Sequence, residues 1–341
     1  MSKIPNQPNQ PDDGPGFAPA RLFCCGLAVV ALLFIALAKP AAQPVDGNAI
    51  PARLAKRSLL LDVHGWGERV LAVGERGHIL LSTDGGKNWQ QVAAPTRRTL
   101  TGVFLIDDQT AWAVGHQSVI LKSGDGGETW AKANAENDPE TAYLDILFLD
   151  AKTGFIVGSY GKFLSTSDGG KTWTEAKQDD DPHLSHIIPA PGGGLWLTGE
   201  FGTVRRSGDR ARRWEPLATP YEGTFFGTLP LAKGGAVVFG LRGNIFRSED
   251  GKAWKQVESP TQSLLHGGLA LADGRLVLTA AAGQLLVSAD EGRSFRLATM
   301  SGAESATATS LWQAADGGVL LTSDKGVHRL ELADLKMEAA K

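Results

Sequence analysis

The chain has 341 residues with 34 Lys and Arg against 37 Asp and Glu, a formal charge of −3 that lacks the basic excess of a general nucleic-acid binder. Its only two cysteines, Cys24 and Cys25, are adjacent, which excludes a disulfide framework and a thiolate zinc site in the body of the chain. No P-loop, dinucleotide fingerprint or HExxH stretch occurs.

The N-terminal region is interpreted as a membrane-targeting segment. Residues 1–20 form a polar, Pro-rich leader, and the uncharged run from Leu22 to Ala38 predicts a transmembrane helix over residues 21–39. Either this helix is an uncleaved signal anchor, or it is a signal peptide cleaved after Ala36-Leu37-Ala38. The long leader favours the anchor. We then expect a single pass through the bacterial inner membrane, with the body on the periplasmic side; cleavage would leave it soluble in the periplasm. Residues 40–50 are expected to be a linker.

The rest of the chain is built from repeats. A box of Ser or Thr, Asp, Gly and a closing aromatic residue recurs six times, beginning with STDGGKNW, SGDGGETW and TSDGGKTW. The closing aromatics are 41, 43, 41, 40 and 41 residues apart. Asp and Ser or Thr side chains can bind the backbone of their own turn, and one acid per box is too few oxygens for a calcium site. We therefore interpret these boxes as structural, through Asp84, Trp89, Asp125, Trp130, Asp168, Trp173, Asp209, Trp214, Asp250, Trp254, Asp290 and Phe295.

A second mark precedes each box and occurs seven times, from AVGERG at 72–77 to LTSDKG at 321–326. Four short apolar runs per unit, joined by Gly-bearing turns, are typical of a propeller blade. The fold class predicted is all-β, a seven-bladed β-propeller of four-stranded antiparallel blades over residues 51–330, preceded by the one transmembrane helix. The seventh unit yields only three strands, so residues 51–57 are expected to supply its outer strand and residues 331–341 to form a frayed tail.

The regular Asp-box repeat with Gly-x-x-Gly hairpins resembles the photosystem II assembly/stability factor-like family over roughly residues 50–330. The resemblance implies a seven-bladed propeller that binds proteins and assists the assembly of membrane complexes without catalysis or a cofactor. It also implies an arginine-rich contact surface.

The alternative is a glycan-binding protein or a sialidase-like glycoside hydrolase, since Asp boxes also occur in sialidases. Of the three tyrosines, Tyr160 lies on a hairpin of the expected binding face, but the Arg-Ile-Pro signature of such enzymes is absent. Glu75 and Glu200 occupy equivalent hairpin positions on blades that are far apart, which disfavours a paired-carboxylate mechanism. His183 and His186 lie three residues apart in a predicted loop without a further metal ligand nearby. We therefore predict no enzyme, no metal and no cofactor.

The hairpins between second and third strands should form a ring on the face that carries the connections between blades. Exposed aromatics and arginines anchor protein interfaces, and the segment RRSGDRARR at 205–213 offers a basic edge for an acidic protein or anionic lipids. The expected partner is an integral membrane protein or membrane complex, bound by a monomeric propeller acting as scaffold or assembly factor. The candidate partner-binding residues are Arg76, Arg97, Arg98, His116, Tyr160, Glu200, Phe201, Arg242 and Lys325 on the ring and its loops, and Arg205, Arg206, Arg210, Arg212 and Arg213 on the edge.

Overall fold

The computed structural model describes residues 47–134, 138–176, 180–300, 305–331 and 336–337. The predicted leader and transmembrane segment lie outside these ranges. Among the described residues, no helix has both the length and the apolar character needed to cross a bilayer.

Seven antiparallel sheets follow one another along the chain, so the predicted seven-bladed propeller is confirmed. Five blades have four strands, the sixth gains a fifth strand from the C-terminal region, and the seventh has three. The strands are β1 (Leu60–Trp66), β2 (Arg69–Gly74), β3 (Ile79–Ser82), β4 (Gln90–Val92), β5 (Leu100–Leu105), β6 (Ala111–Gly115), β7 (Ile120–Ser123), β8 (Ala131–Lys132), β9 (Tyr143–Phe148), β10 (Gly154–Gly158), β11 (Phe163–Thr166), β12 (Thr174–Glu175), β13 (Leu184–Ala190), β14 (Gly194–Gly199), β15 (Val204–Ser207), β16 (Glu215–Pro216), β17 (Phe225–Pro230), β18 (Ala236–Gly240), β19 (Ile245–Ser248), β20 (Trp254–Val257), β21 (Gly268–Ala270), β22 (Leu276–Thr279), β23 (Gln284–Ser288), β24 (Arg296–Thr299), β25 (Ala308–Gln313), β26 (Val319–Ser323), β27 (Gly326–Leu330) and β28 (Lys336–Met337).

The second strand of each blade explains why the apolar runs are continuous rather than alternating. Every residue of β6 and β10 is buried, because both faces of the strand pack against neighbouring blades. The first strand is different: it alternates in burial and carries a register shift at its start, as between Leu60 and Asp62. The first strands contact one another around the ring, so their partly exposed side chains line the central channel.

The Asp boxes hold the turns between third and fourth strands, as predicted. In blade one, the Ser82 hydroxyl donates to Asp84 Oδ1 (2.8 Å) and accepts the Gly86 N–H (2.8 Å). Asp84 Oδ1 in turn accepts the Asn88 N–H (2.9 Å), which lowers the pKa of Asp84 to about 2. The same hydrogen bonds recur in the boxes of blades two, three, four and six.

The closing aromatic residue of the box packs on the preceding blade. Trp173 of blade three meets Trp112 of blade two edge-on, with ring centroids 5.8 Å apart, and Trp254 meets Trp196 in the same way at 6.1 Å. The second glycine of the box lies against the same neighbour, as Gly86 does against Leu320 of blade seven. Each box therefore shapes its own turn and joins two blades.

The ring closes in a way the sequence did not predict. Residues 51–57 form no outer strand for blade seven; Ala55–Arg57 is a short 3₁₀ helix beside the start of β27. Blade seven meets blade one through side chains instead: Thr309 Oγ1 donates to the Leu60 carbonyl (2.7 Å), and Arg329 Nη1 donates to the Gly85 carbonyl (2.7 Å).

The expectation of a frayed tail over residues 331–341 is wrong at residues 336–337. Lys336 and Met337 form β28 and pair with Thr299 and Ala298 of β24. The C-terminal strand thus extends blade six, and among the described residues β27 has no strand on its outer side.

Candidate functional site

The hairpins between second and third strands share one face of the ring with the connections between blades, as predicted. The backbone shows this directly: the Ser118 N–H donates to the Thr141 carbonyl (3.0 Å) and the Gly161 N–H to the Pro182 carbonyl (2.9 Å). The Asp boxes lie on the other face, where the Gly85 N–H donates to the Glu68 carbonyl (2.8 Å) in the turn between first and second strands. We call the hairpin face the rim.

Most rim hairpins place one exposed residue in the left-handed backbone region. Six hairpins share this geometry with a residue other than glycine, at Arg76, Gln117, Tyr160, Phe201, Arg242 and Ala282, with φ between 54° and 58°. This conformation costs a side-chain-bearing residue roughly 1–2 kcal/mol. All six are exposed, so the rim presents five different types of side chain at equivalent positions of six blades.

The rim places the predicted ring residues at the surface with one exception. Arg76, His116, Arg242 and Lys325 are exposed, whereas Glu200 is buried with 5% of its surface accessible. Sequence equivalence with Glu75 did not reveal this, because Glu200 lies against His183 in the connection that leads into blade four.

The two arginines of the first inter-blade loop hold local structure. Arg97 Nε donates to the Asn48 carbonyl (3.0 Å), and Arg98 Nη1 donates to the Gln117 carbonyl (2.9 Å). Arg97 remains exposed and Arg98 is half-buried. Both lie beside the rim, and Arg98 links the loop to the hairpin of blade two.

Tyr160 and Phe201 are the exposed aromatic side chains of the rim, on adjacent blades three and four. They are 57% and 70% exposed, and we call them the aromatic patch. Trp66, also exposed at 53%, ends β1 on the Asp-box face and is separate from them. Large exposed apolar groups of this kind mark interaction sites when they are grouped.

A largely buried pair, His183 and Glu200, lies next to Tyr160 of the aromatic patch, and we call it the buried pair. His183, in the connection from blade three to blade four, lies with its ring centroid 4.9 Å from that of Tyr160. The ring Nε2 of His183 is 3.7 Å from Glu200 Oε2, and the backbone N–H of His183 donates to the same oxygen (3.1 Å). The Glu200 N–H donates back to the His183 carbonyl (3.0 Å). Burial lowers the pKa of His183, while the charges of Glu200 and Asp181 act in the opposite direction.

A groove of about 610 Å³ begins at Phe201 and follows the outer part of blade four. Its walls combine the apolar side chains of Trp214, Leu217 and Tyr221 with polar ones that include Asp180, Arg205 and Glu222. Arg205 and Asp180 form an ion pair across it (2.6 Å). The aromatic patch and this groove form one continuous surface because Phe201 belongs to both.

The inner arginines of the basic edge are engaged within the protein. The side chain of Arg205 is only 12% exposed and is paired with Asp180. The guanidinium of Arg206 lies 5.5 Å above the Trp196 ring, which is a cation–π contact. These two residues therefore contribute to packing at blade four more than to a free basic surface.

The outer arginines belong to a box that keeps its shape without its glycines. Arg210 and Ala211 take the two left-handed positions, with φ of 61° and 65°, and Arg210 pairs with Asp150 of blade three. Arg212 and Arg213 are exposed, and within the described ranges neither forms an ion pair. The basic edge is thus reduced to these two guanidinium groups and part of Arg210.

The central channel contains titratable residues that sequence reasoning missed. Asp62 and Asp145 occupy the same position of β1 and β9, and each accepts a backbone N–H of the next blade, from Val103 and Ile187 (2.9 Å each). Burial raises the pKa of Asp62 and, together with the Asp62 charge, raises that of Asp145 well above its usual range. The sequence did contain a signal for these residues, because each is an aspartate at the third position of the first strand of its blade. These carboxylates join neighbouring blades.

The geometry expected of a glycosidase does not form among the described residues. Tyr143 is buried at 2%, and Tyr160 lies against His183 rather than against a group of arginines. His186 is part of β13 and not of a loop, and burial lowers its pKa to about 4. Within the described ranges, no three His, Cys, Asp or Glu side chains come together as a metal site.

The fold defines the class of protein: seven repeated sheets with Asp-box turns make it a seven-bladed Asp-box propeller. The family model described as photosynthesis system II assembly factor YCF48 matches residues 136–263, which confirms the resemblance found in the repeats. No curated protein matches the sequence.

Solved structures agree on the fold. The structure of YCF48 bound to D1 peptide superposes with a TM-score of 0.67 at 17% identity, over 86% of this chain and 98% of that one. YCF48 from Cyanidioschyzon merolae gives 0.64 at 17% identity, over 83% and 97%. A streptogramin B lyase structure gives 0.62 at 16% identity, over 86% and 97%. One fold thus serves both a peptide-binding protein and an enzyme.

Proposed function

We propose that this protein is a protein-binding propeller that acts as a scaffold or assembly factor for a membrane protein complex. The observation that carries the proposal is the aromatic patch, in which Tyr160 and Phe201 stand exposed on adjacent blades beside a groove. Aromatic side chains in such positions anchor protein interfaces. The fixed hairpin backbone sets the direction of the Cα–Cβ bonds of Tyr160 and Phe201. Less backbone freedom is therefore lost when a partner binds.

The partner we propose is an extended segment of an integral membrane protein. The groove offers apolar walls at Trp214, Leu217 and Tyr221 beside polar groups, and the Arg205–Asp180 ion pair is internal, so a segment with both apolar and uncharged polar side chains fits it better than a highly charged one. The solved YCF48 complex with a D1 peptide supports a peptide as the ligand class for this fold.

We propose that residues 21–39 tether the protein to the bacterial inner membrane, with the propeller on the periplasmic side. The uncharged run from Leu22 to Ala38 supports this proposal. N-terminal sequencing of the mature protein distinguishes the anchor from a cleaved signal peptide. An N-terminus at or after Lys39 would show cleavage.

The proposed role is non-catalytic. Enzymes share the fold, so the argument rests on the rim and channel, where three acidic side chains hydrogen-bond to the protein's own backbone. Asp62 and Asp145 bind backbone N–H groups of neighbouring blades, and Glu200 binds the backbone of His183.

Capture from detergent-solubilised membranes tests the proposal. The full-length chain should retain an integral membrane protein, and the double variant Tyr160→Ala/Phe201→Ala should retain at least about tenfold less, since an interface anchor contributes more than 1 kcal/mol. Trp66→Ala is the matched control, because it removes an equally exposed aromatic group from the other face. Equal capture by the double variant, or capture of nothing by the wild type, would refute the proposed site.

A further inference from the structure

The buried pair next to the aromatic patch connects the two exposed rings to one titratable group. The connection carrying His183 is bonded to both rim hairpins: Pro182 accepts the Gly161 N–H (2.9 Å), and the His183 carbonyl accepts the Glu200 N–H (3.0 Å). Tyr160 precedes Gly161 and Phe201 follows Glu200. A movement of His183 therefore acts on both aromatic residues at once.

We propose that His183 and Glu200 are positioning residues for the aromatic patch, and that the charge state of His183 controls how Tyr160 and Phe201 are presented. The use of the patch rests on the proposed function. The link from His183 to Tyr160 does not depend on any partner, so it can be tested separately.

The neutral form of His183 suits its surroundings. With its proton on Nε2, the ring faces Glu200 Oε2 at 3.7 Å and leaves Nδ1 as an acceptor. Nδ1 is buried, and no described residue hydrogen-bonds to it. Protonation would place a buried N–H at that atom without an acceptor, which is costly.

The charged groups that act on His183 are both acids. Glu200, whose side chain is 7% exposed, reaches it from the hairpin of blade four, and Asp181 lies on the same connection. Both raise the pKa of His183, whereas burial lowers it by more. In the folded protein, His183 takes up a proton and the neutral arrangement is lost only as the pH falls through its lowered folded-state pKa, below 6.5. Tyr160, in ring contact with His183, then changes its surroundings.

Fluorine NMR of 3-fluorotyrosine tests the coupling, because the chain has only three tyrosines. In the full-length protein in detergent micelles, the signal lost in Tyr160→Phe is assigned to Tyr160. We expect this signal to shift with pH, with a midpoint below 6.5, and the shift to vanish in His183→Gln. The Tyr221 signal serves as the internal control. A Tyr160 signal that is constant from pH 7.5 to 4.5, or that still titrates in His183→Gln, overturns the proposal.

Two further variants keep the test decisive if His183→Gln does not fold. His183→Phe retains a ring against Tyr160 and should abolish the titration. Glu200→Gln removes the larger acidic influence and should move the midpoint to lower pH, by more than the exposed control Asp181→Asn does. A midpoint unchanged in Glu200→Gln overturns the role of Glu200. Loss of membrane-protein capture in the Tyr160→Ala/Phe201→Ala variant is independent of this result, so the two proposals can fail separately.

Discussion

Adding one methyl group at either of two adjacent glycines gives a sharp test of how the ring closes. Gly85 and Gly86 both have positive φ, 72° and 84°, so alanine is strained at both. A Cβ at Gly85 would meet no atom within 4 Å, whereas a Cβ at Gly86 would overlap Leu320 of blade seven, with Cδ1 at 2.6 Å. Leu320 Cδ2 would lie closer still than Cδ1, and ordinary contacts begin at 3.4 Å, so Leu320 or the blade would have to move by more than about 0.8 Å.

The expected costs follow from these two differences. The left-handed backbone costs alanine roughly 1–2 kcal/mol, partly offset by the lower entropy of its unfolded chain, which leaves about 1 kcal/mol for Gly85→Ala. Overpacking adds roughly 1–3 kcal/mol at Gly86, for a total of about 2–4 kcal/mol. Urea denaturation followed by circular dichroism measures both.

A double-variant cycle identifies the contact responsible. Leu320→Ala alone should cost about 2–5 kcal/mol through the cavity it leaves. Combined with Gly86→Ala it should cost about 1–3 kcal/mol less than the sum, because the new methyl group then has space. Equal destabilisation by Gly85→Ala and Gly86→Ala, or strict additivity with Leu320→Ala, would refute packing of Leu320 on the box as the closing contact.

Three further predictions concern the boxes and the rim. Ala211→Gly should stabilise the protein by about 0.5–1 kcal/mol in urea denaturation, because Ala211 holds a φ of 65° that glycine adopts without strain; a loss of stability would show that its methyl group is needed for packing. The hydroxyl of Thr172 lowers the pKa of Asp168 to about 2, so this carboxylate stabilises the fold above about pH 4 and the stability is lost as the pH falls towards 2; Asp168→Asn should flatten that part of the stability profile. Capture of the membrane partner should weaken as the pH falls below about 6.5, because the lowered pKa of His183 places its protonation there, and His183→Phe should remove this dependence. A wild-type capture profile that stays flat from pH 7.5 to 4.5 would contradict the role given to the buried pair.

The sequence predicts what is local and repeated. Each Asp box binds its own turn, as Ser82 and Asp84 do, so seven blades and the two faces of the ring could be predicted from spacing. Closure could not be predicted in the same way. Whether residues 51–57 or 336–337 pair with a given blade depends on contacts between distant parts of the chain, and both expectations were wrong.

The candidate site shows the same division. Exposure of Tyr160 and Phe201 could be predicted, because both occupy the central position of a rim hairpin. The burial of Glu200 could not be predicted, because it depends on contact with His183 in the connection from blade three to blade four. The charge of RRSGDRARR suggested a free basic surface, yet Asp180 and Asp150 pair with two of its arginines. A charged run shows its composition, and only the fold shows which charges are already neutralised.

The left-handed position of the rim hairpins has a consequence for how such a protein changes its recognition. Arg76, Tyr160, Phe201 and Ala282 have nearly the same φ although their side chains differ in size and charge. The backbone energy of this position is therefore much the same for each of them, and exchanging one side chain for another there leaves the stability of the blades nearly unchanged. Specificity can drift one blade at a time, by point substitution at a single place in each repeat, while the architecture that carries it stays the same.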